Sequence, residues 1–449
     1  MTTILDTLGS QQFDALISPH DAAASQVDHE LAPMAPATLE ETGISPEVLL
    51  NLALKLAYTT TKFSTQWAAQ KLCLPLQLVA DLLELLRRDH LIEVLGQAGP
   101  FNHHFSITGS GRERALRLME VSRYVGPAPV SLEAYCTSLD RQLRHQQKPS
   151  PEQVAAALDS MVLPEEAIQV AGLAAQSRRS LFLYGPPGNG KTTLGHLLHQ
   201  AVEGCLWIPH CIGIEDSIIR VFDPECHQPA LDDPPRVVAG SSDRRWVRIC
   251  KPFIVVGGEL TIEALDLIYN PSVGYYEAPL HFKANGGTFL VDDFGCQRVA
   301  PEELLNRWIH PLERGIDFLT LQTGQQLGVP FRQMLIVSTN LDSNRVMTPA
   351  FLRRMGYRVY LGDPSPQQYA QILGKYAANQ NLAVPADLIE LLTERYRAEG
   401  RQMRCCEPRD LIERIRDICQ YRGRPLVLSA DVLDVAWRGY FGNAITRST

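Results

Sequence analysis

The sequence lacks several patterns that would assign a protein to a class at once. No run of about 18 apolar residues is present, so no membrane-spanning helix is expected. The stretch from Met1 to Pro36 has no basic start followed by an apolar block, so no secretory signal is expected. The ten cysteines show no C-x-x-C spacing, which favours reduced thiols in a cytoplasmic protein over a disulfide framework. The formal net charge of −8 gives no overall attraction to nucleic acid or to acidic membranes.

Length and composition predict a globular chain of several domains. The chain has 449 residues, of which 45% are apolar and 20% are charged, as is ordinary for folded proteins. This length corresponds to about three domains. The pattern along the chain predicts a flexible tail (1–43), an N-terminal domain (44–126), a linker (127–150), an α/β core (151–361) and a helical C-terminal part (362–449).

The N-terminal domain is predicted to combine helices with a β-hairpin. Helical patterns follow Ser45, Ser64 and Pro75, two extended runs flank residues 96–100, and a further helix is expected over 111–124. This order resembles a winged helix-turn-helix domain, a class that binds DNA or protein. The helix that would read DNA, over 76–88, carries two acids and two bases among its charged residues and has no net positive face. Protein docking is therefore favoured, and DNA binding stays open.

A phosphate loop is the most specific motif in the chain. The apolar run 181–184 leads directly into a G-x-x-x-x-G-K-S/T sequence, and a helical pattern follows. Glycines let successive backbone N–H groups curl around a phosphate, Lys191 can reach the β- and γ-phosphates, and the Thr192 hydroxyl can bind Mg²⁺. The predicted nucleotide-binding residues are Gly185, Pro186, Pro187, Gly188, Asn189, Gly190, Lys191, Thr192 and Thr193.

A second apolar strand ends in two acids. The run 289–291 is followed directly by Asp292 and Asp293. A buried strand that ends in paired carboxylates needs a counter-charge, which Mg²⁺ bound to a nucleotide would supply. We therefore expect Asp292 to hold the metal with Thr192, and Asp293 to act as the base that polarises the attacking water. The stretch from Lys191 to Asp292 is about twice as long as a minimal helix–strand–helix–strand path, which predicts an insertion over about 216–284.

Polar residues at three later points complete the pattern. A third apolar strand, 334–339, ends in Asn340, two adjacent arginines follow at Arg353 and Arg354, and Arg409 lies at a predicted helix start. With the phosphate loop and the two acids, these residues resemble an AAA+ ATPase over roughly 151–440. The resemblance implies a P-loop AAA+ parallel-sheet core with a C-terminal helical lid, in addition to the N-terminal winged helix-turn-helix domain.

The same resemblance implies roles for individual residues. Gly185 to Thr192 would be the Walker A loop, Asp292 and Asp293 Walker B, Asn340 sensor 1 and Arg409 sensor 2. Arg354 would be the arginine finger, with Arg353 as the alternative. A finger enters the site of a neighbouring subunit, so the resemblance implies a homo-oligomeric ring, most often a hexamer, that hydrolyses ATP with Mg²⁺. The second Walker B acid is normally Glu, so Asp293 departs from the family pattern.

Two further segments refine the comparison. Residues 275–287 resemble the approach to Walker B in MoxR-type ATPases, magnesium chelatases and sigma-factor activators. Residues 317–329 look like the hairpin that precedes sensor 1 in that group. The G-A-F-T-G-A string of sigma-factor activators is absent, which argues against that activity.

Three functional hypotheses follow from the sequence. The first is a remodelling ATPase that acts on a protein client, with the winged helix docking a partner. The second is a DNA-associated regulator or loader driven by ATP. The third is a nucleotide-switched scaffold that barely hydrolyses ATP because Asp293 is shorter than Glu, in which case Asp293→Glu should raise turnover.

Overall fold

The computed structural model describes residues 31–202, 204–230, 242–341 and 349–442. Within these residues, none of the helices is both long enough and apolar enough to cross a membrane.

The N-terminal part contains four helices and a small antiparallel sheet. Its elements in chain order are α1 (Pro46–Tyr58), β1 (Phe63–Ser64), α2 (Thr65–Leu72), α3 (Leu76–Arg88), β2 (Ile92–Gly99), β3 (Asn102–Ile107) and α4 (Gly109–Val121). The sheet has the order β1-β3-β2. Ser64 begins α2 by accepting a hydrogen bond from the backbone N–H of Trp67, as a helix N-cap does. The helices share a core of leucines and alanines with the sheet. The assignment of this unit as a winged helix stays a prediction.

The described end of the predicted tail is packed rather than flexible. Residues Glu40–Thr42 form a 3₁₀ turn, and Leu31 is buried. The buried Arg245 guanidinium donates to the carbonyl oxygens of Thr42 and Pro129, so three distant segments meet at this side chain. Residues 1–30 of the predicted tail lie outside the described residues.

The segment 127–150, predicted as a linker, is folded. It contains β4 (Val130–Ser131) and α5 (Leu132–His145). The buried Gln142 side chain donates to the carbonyl oxygen of Trp207 at 3.0 Å and accepts from its backbone N–H at 2.7 Å. The linker prediction was wrong here because it relied on prolines and polar residues, whereas an amphipathic helix buries one face whatever the composition of the other.

The central part alternates helices and strands. Its elements up to the edge of the main sheet are α6 (Pro151–Leu158), α7 (Glu165–Ser177), β5 (Leu181–Tyr184), α8 (Lys191–Ala201), β6 (Cys205–Pro209), β7 (Cys211–Ile214), β8 (Ser217–Arg220), β9 (Trp246–Cys250) and β10 (Phe253–Val256). They are followed by β11 (Ile268–Asn270), β12 (Tyr275–Glu277), α9 (Leu280–Lys283), β13 (Thr288–Val291), α10 (Pro301–Arg314), β14 (Ile316–Thr320), β15 (Gln326–Pro330), β16 (Met334–Thr339), α11 (Pro349–Leu352) and β17 (Tyr357–Tyr360).

The main sheet is parallel and has the order β10-β13-β16-β5-β17. All residues of β13 and β16 are buried, as expected for parallel strands that are covered on both faces. Separate apolar clusters cover the two faces. The predicted fold class, a parallel α/β core of the P-loop type followed by a helical C-terminal part, is confirmed.

The stretch between α8 and β13 holds additional strands. β6 pairs with β9, and the strands β11-β12-β8-β7-β4 form a second, mixed sheet. The predicted insertion therefore begins earlier than residue 216, at β6, and is interrupted by β10 of the main sheet. The predicted hairpin is present as the antiparallel pair β14–β15, and it shares a core with α5 and the second sheet.

The C-terminal part is helical. It contains α12 (Pro366–Asn379), α13 (Ala386–Ala398), α14 (Glu407–Tyr421) and α15 (Ala430–Phe441). These helices bury a core of their own, which includes Tyr369, Tyr396 and Trp437. Because this core contains only residues of the C-terminal part, the four helices pack together as one unit beside the sheet.

Candidate functional site

The phosphate loop connects β5, which lies between β16 and β17 in the parallel sheet, to α8. Gly188 and Gly190 both have φ of +83°, a left-handed backbone that favours glycine. A Cβ atom at Gly188 would lie 2.7 Å from Sγ of Cys406, and one at Gly190 would lie 2.8 Å from Cε of Met161. The sequence thus needs glycine at both points, and the resulting curl brings backbone N–H groups to the N-terminus of α8, where an anion is favoured.

Lys191 is buried in this loop. Its Nζ donates to the carbonyl oxygens of Gly185 at 2.9 Å and Pro186 at 2.8 Å. Burial lowers the pKa of Lys191, and the carboxylates of Asp293 and Asp292 act in the opposite direction. The ammonium group is therefore held inside the curl of the loop by two backbone carbonyl oxygens.

Thr192 and Asp292 meet across the sheet. The Thr192 hydroxyl donates to the Asp292 carboxylate, with Oγ1 at 3.0 Å from Oδ1 and 2.8 Å from Oδ2. The hydroxyl of the buried Ser338, on β16, also donates to Oδ1 of Asp292. Two hydroxyl donors, one from α8 and one from β16, thus fix one carboxylate.

Asp293 and Asn340 form a second contact beside the first. Nδ2 of Asn340 donates to Oδ1 of Asp293 at 2.5 Å. Asp293 has φ of +47°, an uncommon conformation for a residue with a side chain. The Gln297 side-chain amide donates to the carbonyl oxygens of Asp292 and Asp293, at 3.1 and 3.3 Å, and so supports this bend. The bend turns the second acid toward the end of β16.

Sheet order explains why these residues converge. β16 lies between β5 and β13, and all three strands run parallel. The carboxyl ends of parallel strands meet at one edge of the sheet. The phosphate loop, Asn340 and the two acids follow the ends of these three strands, so all of them reach the same edge.

A cavity of about 830 Å³ opens at this edge. Its walls include loop residues, both acids, Asn340, residues 160–164 and side chains from α12. The C-terminal helices close one side. Lys375 of α12 donates to the carbonyl oxygen of Asp159, which ties this helix to the segment before α7. The volume and the polar lining suit a small polar molecule that is held between the sheet and the helices.

Arg409 lines the same cavity, near the start of α14. Its guanidinium donates to Oδ1 of Asp410, with Nε at 3.1 Å and Nη2 at 3.0 Å. More than half of its side chain is exposed. The residue predicted as sensor 2 is therefore at the cavity, and its charge is paired with its neighbour in the sequence.

Arg353 and Arg354 are not among the described residues that line the cavity. Arg353 is exposed, and Arg354 donates to Oε2 of Glu313 at 3.2 Å. Both follow α11 near the end of the core. The structure therefore does not bring either finger candidate to the cavity of its own chain.

The remaining predicted loop residues divide into two groups. Pro187 and Thr193 line the cavity together with Gly188 and Gly190. Asn189 also lines the cavity, but it differs from these residues because its buried side chain makes hydrogen bonds to Leu361, Asp363 and Cys405.

Sequence reasoning missed three contributors to the site. Ser338 and Gln297 hold the acids, and the 404–406 turn of the C-terminal part touches the phosphate loop. The hydroxyl of Ser338, two residues before Asn340 at the end of an apolar strand, was a signal that could have been used. The 404–406 turn carries no local signal, because its contacts join segments that are distant in sequence. Gln297 follows the acids by only four and five residues, but its residue type alone does not indicate that the side chain turns back to their carbonyl oxygens.

Comparisons with known proteins give the following matches. A family model described as "Domain of unknown function (DUF8689)" matches residues 365–439, which span the C-terminal helices. A comparison with curated protein sequences finds no significant match. Among solved structures, the chain is similar to the RuvB Holliday junction branch migration motor of Thermotoga maritima, at 15% identity and a TM-score of 0.36, over 62% of this chain and 70% of that chain.

NtrX from Brucella abortus is similar at 14% identity and a TM-score of 0.38, over 67% of this chain and 59% of that chain. A structure of NtrX in complex with ADP gives 14% identity and a TM-score of 0.37, over 72% of this chain and 64% of that chain. We draw no conclusion about the chemistry of this chain from likenesses at this level.

Proposed function

We propose that this chain is an AAA+ ATPase that binds Mg-ATP and hydrolyses it to ADP and phosphate. One observation carries the proposal: Lys191, Thr192, Asp292, Asp293 and Asn340 converge on one cavity at the carboxyl edge of a parallel sheet. A cation, a hydroxyl, two carboxylates and an amide are the groups that phosphoryl transfer to water requires. A helical unit over the same cavity agrees with the lid of that family.

The residues fit a magnesium nucleotide. Thr192 Oγ1 and the Asp292 carboxylate are in contact, and both are oxygen ligands of the kind that Mg²⁺ prefers. The glycine curl leaves backbone N–H groups at a helix N-terminus for phosphate oxygens. When bound, Mg²⁺ would neutralise charge that develops on the phosphate oxygens.

The side chains of this chain would then act as follows. Lys191 and the loop amides bind phosphate oxygens. Asp293 accepts the proton of the attacking water, while the Asn340 amide, which contacts that carboxylate, orients the same water. Arg409 places positive charge at the helical side of the cavity, where it stabilises the transition state more than the ground state.

We further propose a ring in which Arg354, or Arg353, acts on the cavity of a neighbouring subunit. Two features support this: neither arginine lines the cavity of its own chain among the described residues, and Arg354 lies on the core close to α11. The ring size, most often six in this family, stays a prediction. Membership of the MoxR-like group also stays a prediction, and the β14–β15 hairpin before β16 supports it.

The N-terminal part is proposed to dock a protein partner or client. On α3, Arg87 and Arg88 both pair with Glu84, at 2.7 and 3.2 Å. With Asp81 included, the four charges of this helix sum to zero, and a helix without net positive charge contributes little to binding DNA phosphates. The alternative, an ATP-driven DNA regulator or loader, predicts salt-dependent binding of duplex DNA by the full chain at about 50 mM salt. A cytoplasmic location stays a prediction.

Steady-state phosphate release tests the central proposal. Wild-type protein with Mg-ATP should release phosphate, Lys191→Ala should fall to background, and EDTA should stop the wild type. Lys71→Ala is a matched control, because Lys71 is exposed on α2. Equal background release by the wild type and Lys191→Ala would refute the enzyme assignment.

A further inference from the structure

The phosphate loop carries a buried polar side chain, Asn189, whose hydrogen bonds go to segments outside the loop. Asn189 occupies a position that the loop motif leaves free, yet it is only 2% exposed. A buried amide that lacks partners would be costly, so the groups that satisfy it indicate what it does.

Asn189 joins three segments that are far apart in the sequence. Its Nδ2 donates to Oδ1 of Asp363 at 2.9 Å and to the carbonyl oxygen of Leu361 at 3.4 Å. Its Oδ1 accepts from the backbone N–H of Cys405 at 3.2 Å. Leu361 and Asp363 lie between the last strand of the sheet and α12, so they form the connection to the helical part.

The third segment is the turn before α14. The backbone N–H of Cys406 donates to the carbonyl oxygen of Gly188 at 2.9 Å, directly beside the Asn189 contact. The buried Glu407 carboxylate holds this turn by accepting from the Arg404 backbone N–H at 2.8 Å and from the Tyr396 hydroxyl at 2.6 Å. The turn is therefore held by Glu407 from within the helical part, and it is bonded to the tip of the phosphate loop at two points.

The geometry points to Asn189 as the side chain that fastens the helical part to the phosphate loop and so keeps Arg409 at the cavity. Arg409 follows the fastened turn by three residues and lines the cavity. Asn189 is thus a positioning residue that acts through the helical part. This inference rests on the proposed function, because it concerns the same cavity.

An exchange of groups between Asn189 and Asp363 tests this role. Asn189→Asp replaces the donor with a carboxylate that faces Asp363 at contact distance. Repulsion between the two carboxylates should move the new side chain away from Asp363 and from the Cys405 amide, although an oxygen acceptor is retained. In Asn189→Asp/Asp363→Asn the amide donor lies on the other side of the same contact, and the net charge equals that of the wild type. Asp363→Asn alone keeps an oxygen acceptor, so its effect should be smaller than that of Asn189→Asp.

The expected results concern both exchange and turnover. Hydrogen exchange of the amides at 405 and 406 should be faster in Asn189→Asp than in the wild type, and kcat should fall about tenfold, which corresponds to the loss of one hydrogen bond to a charged group. The double variant should restore both. Asn189→Ala, which removes the acceptor of the Cys405 amide without adding charge, should also speed exchange.

Several results would overturn the inference. Unchanged exchange in both Asn189 variants would show that the side chain does not fasten the turn. Faster exchange with an unchanged kcat would remove its positioning role. The double variant retains the carboxylate at position 189. If its kcat is as low as that of Asn189→Asp, the defect comes from repulsion between this carboxylate and the phosphates, and the inference fails. If the wild type does not hydrolyse ATP, the proposed function fails and the positioning role of Asn189 fails with it. Hydrogen exchange of the amides at 405 and 406 would still decide whether Asn189 fastens the turn.

Discussion

Replacing Ser338 with Ala should weaken the binding of Mg²⁺ while leaving metal-free nucleotide binding in place. The Ser338 hydroxyl donates to Oδ1 of Asp292, the carboxylate that also accepts from Thr192. The side chain is fully buried, so water does not replace the lost donor easily. The Asp292 carboxylate would then keep one of these two hydroxyl donors and would be oriented less firmly.

The size of the effect follows from the type of bond. A hydrogen bond to a charged acceptor contributes about 1.5–3 kcal/mol, and about 1.4 kcal/mol corresponds to a factor of ten. The apparent Mg²⁺ affinity of the nucleotide complex should therefore fall by about 10- to 100-fold, which is also the usual cost of removing a partner of a metal ligand.

The assay is a Mg²⁺ titration at fixed ATP, read by phosphate release, together with nucleotide binding in EDTA. Thr339→Ser is the matched control, because Thr339 is buried on the same strand and Ser keeps the hydroxyl that donates to the Phe294 carbonyl oxygen. An unchanged Mg²⁺ dependence in Ser338→Ala would refute the reasoning. Equal losses of nucleotide affinity with and without Mg²⁺ would also refute it, because the defect would then lie in the loop.

Three further predictions concern other parts of the molecule. Burial lowers the pKa of Lys55 from 10.5 to about 8. Between these two pH values the unfolded chain keeps the proton that the folded protein has released. The free energy of unfolding should therefore rise by roughly 3 kcal/mol as the pH increases across this interval. Lys55→Met should flatten that rise in thermal melts, and an unchanged profile would count against a buried amine. Mixed rings of Arg354→Ala and Lys191→Ala subunits should regain part of the lost hydrolysis, and failure to do so in rings shown to be mixed would argue against a site shared between chains. Asp293→Glu should lower turnover, because Oδ1 of Asp293 already contacts Nδ2 of Asn340 at 2.5 Å and a longer side chain would displace that amide. A higher turnover would instead support the nucleotide-switched scaffold.

Much of the site could be predicted because parallel strands impose a shared edge. Once the runs before Gly185, Asp292 and Asn340 are recognised as buried parallel strands, their ends must lie at the same side of the sheet. The structure brings these residues together for that reason. The helical C-terminal part was equally predictable, since its apolar residues recur with the period of a helix.

Other features depend on contacts that no local pattern records. Asp363 and the backbone of Cys405 contact the phosphate loop through hydrogen bonds between segments that are distant in the chain. The segment 127–150 resembles a linker in composition, yet Gln142 and Tyr135 bury one face of its helix. The sequence of that helix is amphipathic, although the segment before it is rich in proline.

Calorimetric titration of the folded chain with ATP, in the presence and absence of Mg²⁺, tests the central claim most directly. The account predicts saturable heat with Mg-ATP that Lys191→Ala abolishes or strongly reduces. A well-folded wild-type protein that gives no heat with any purine nucleotide and Mg²⁺ would contradict it.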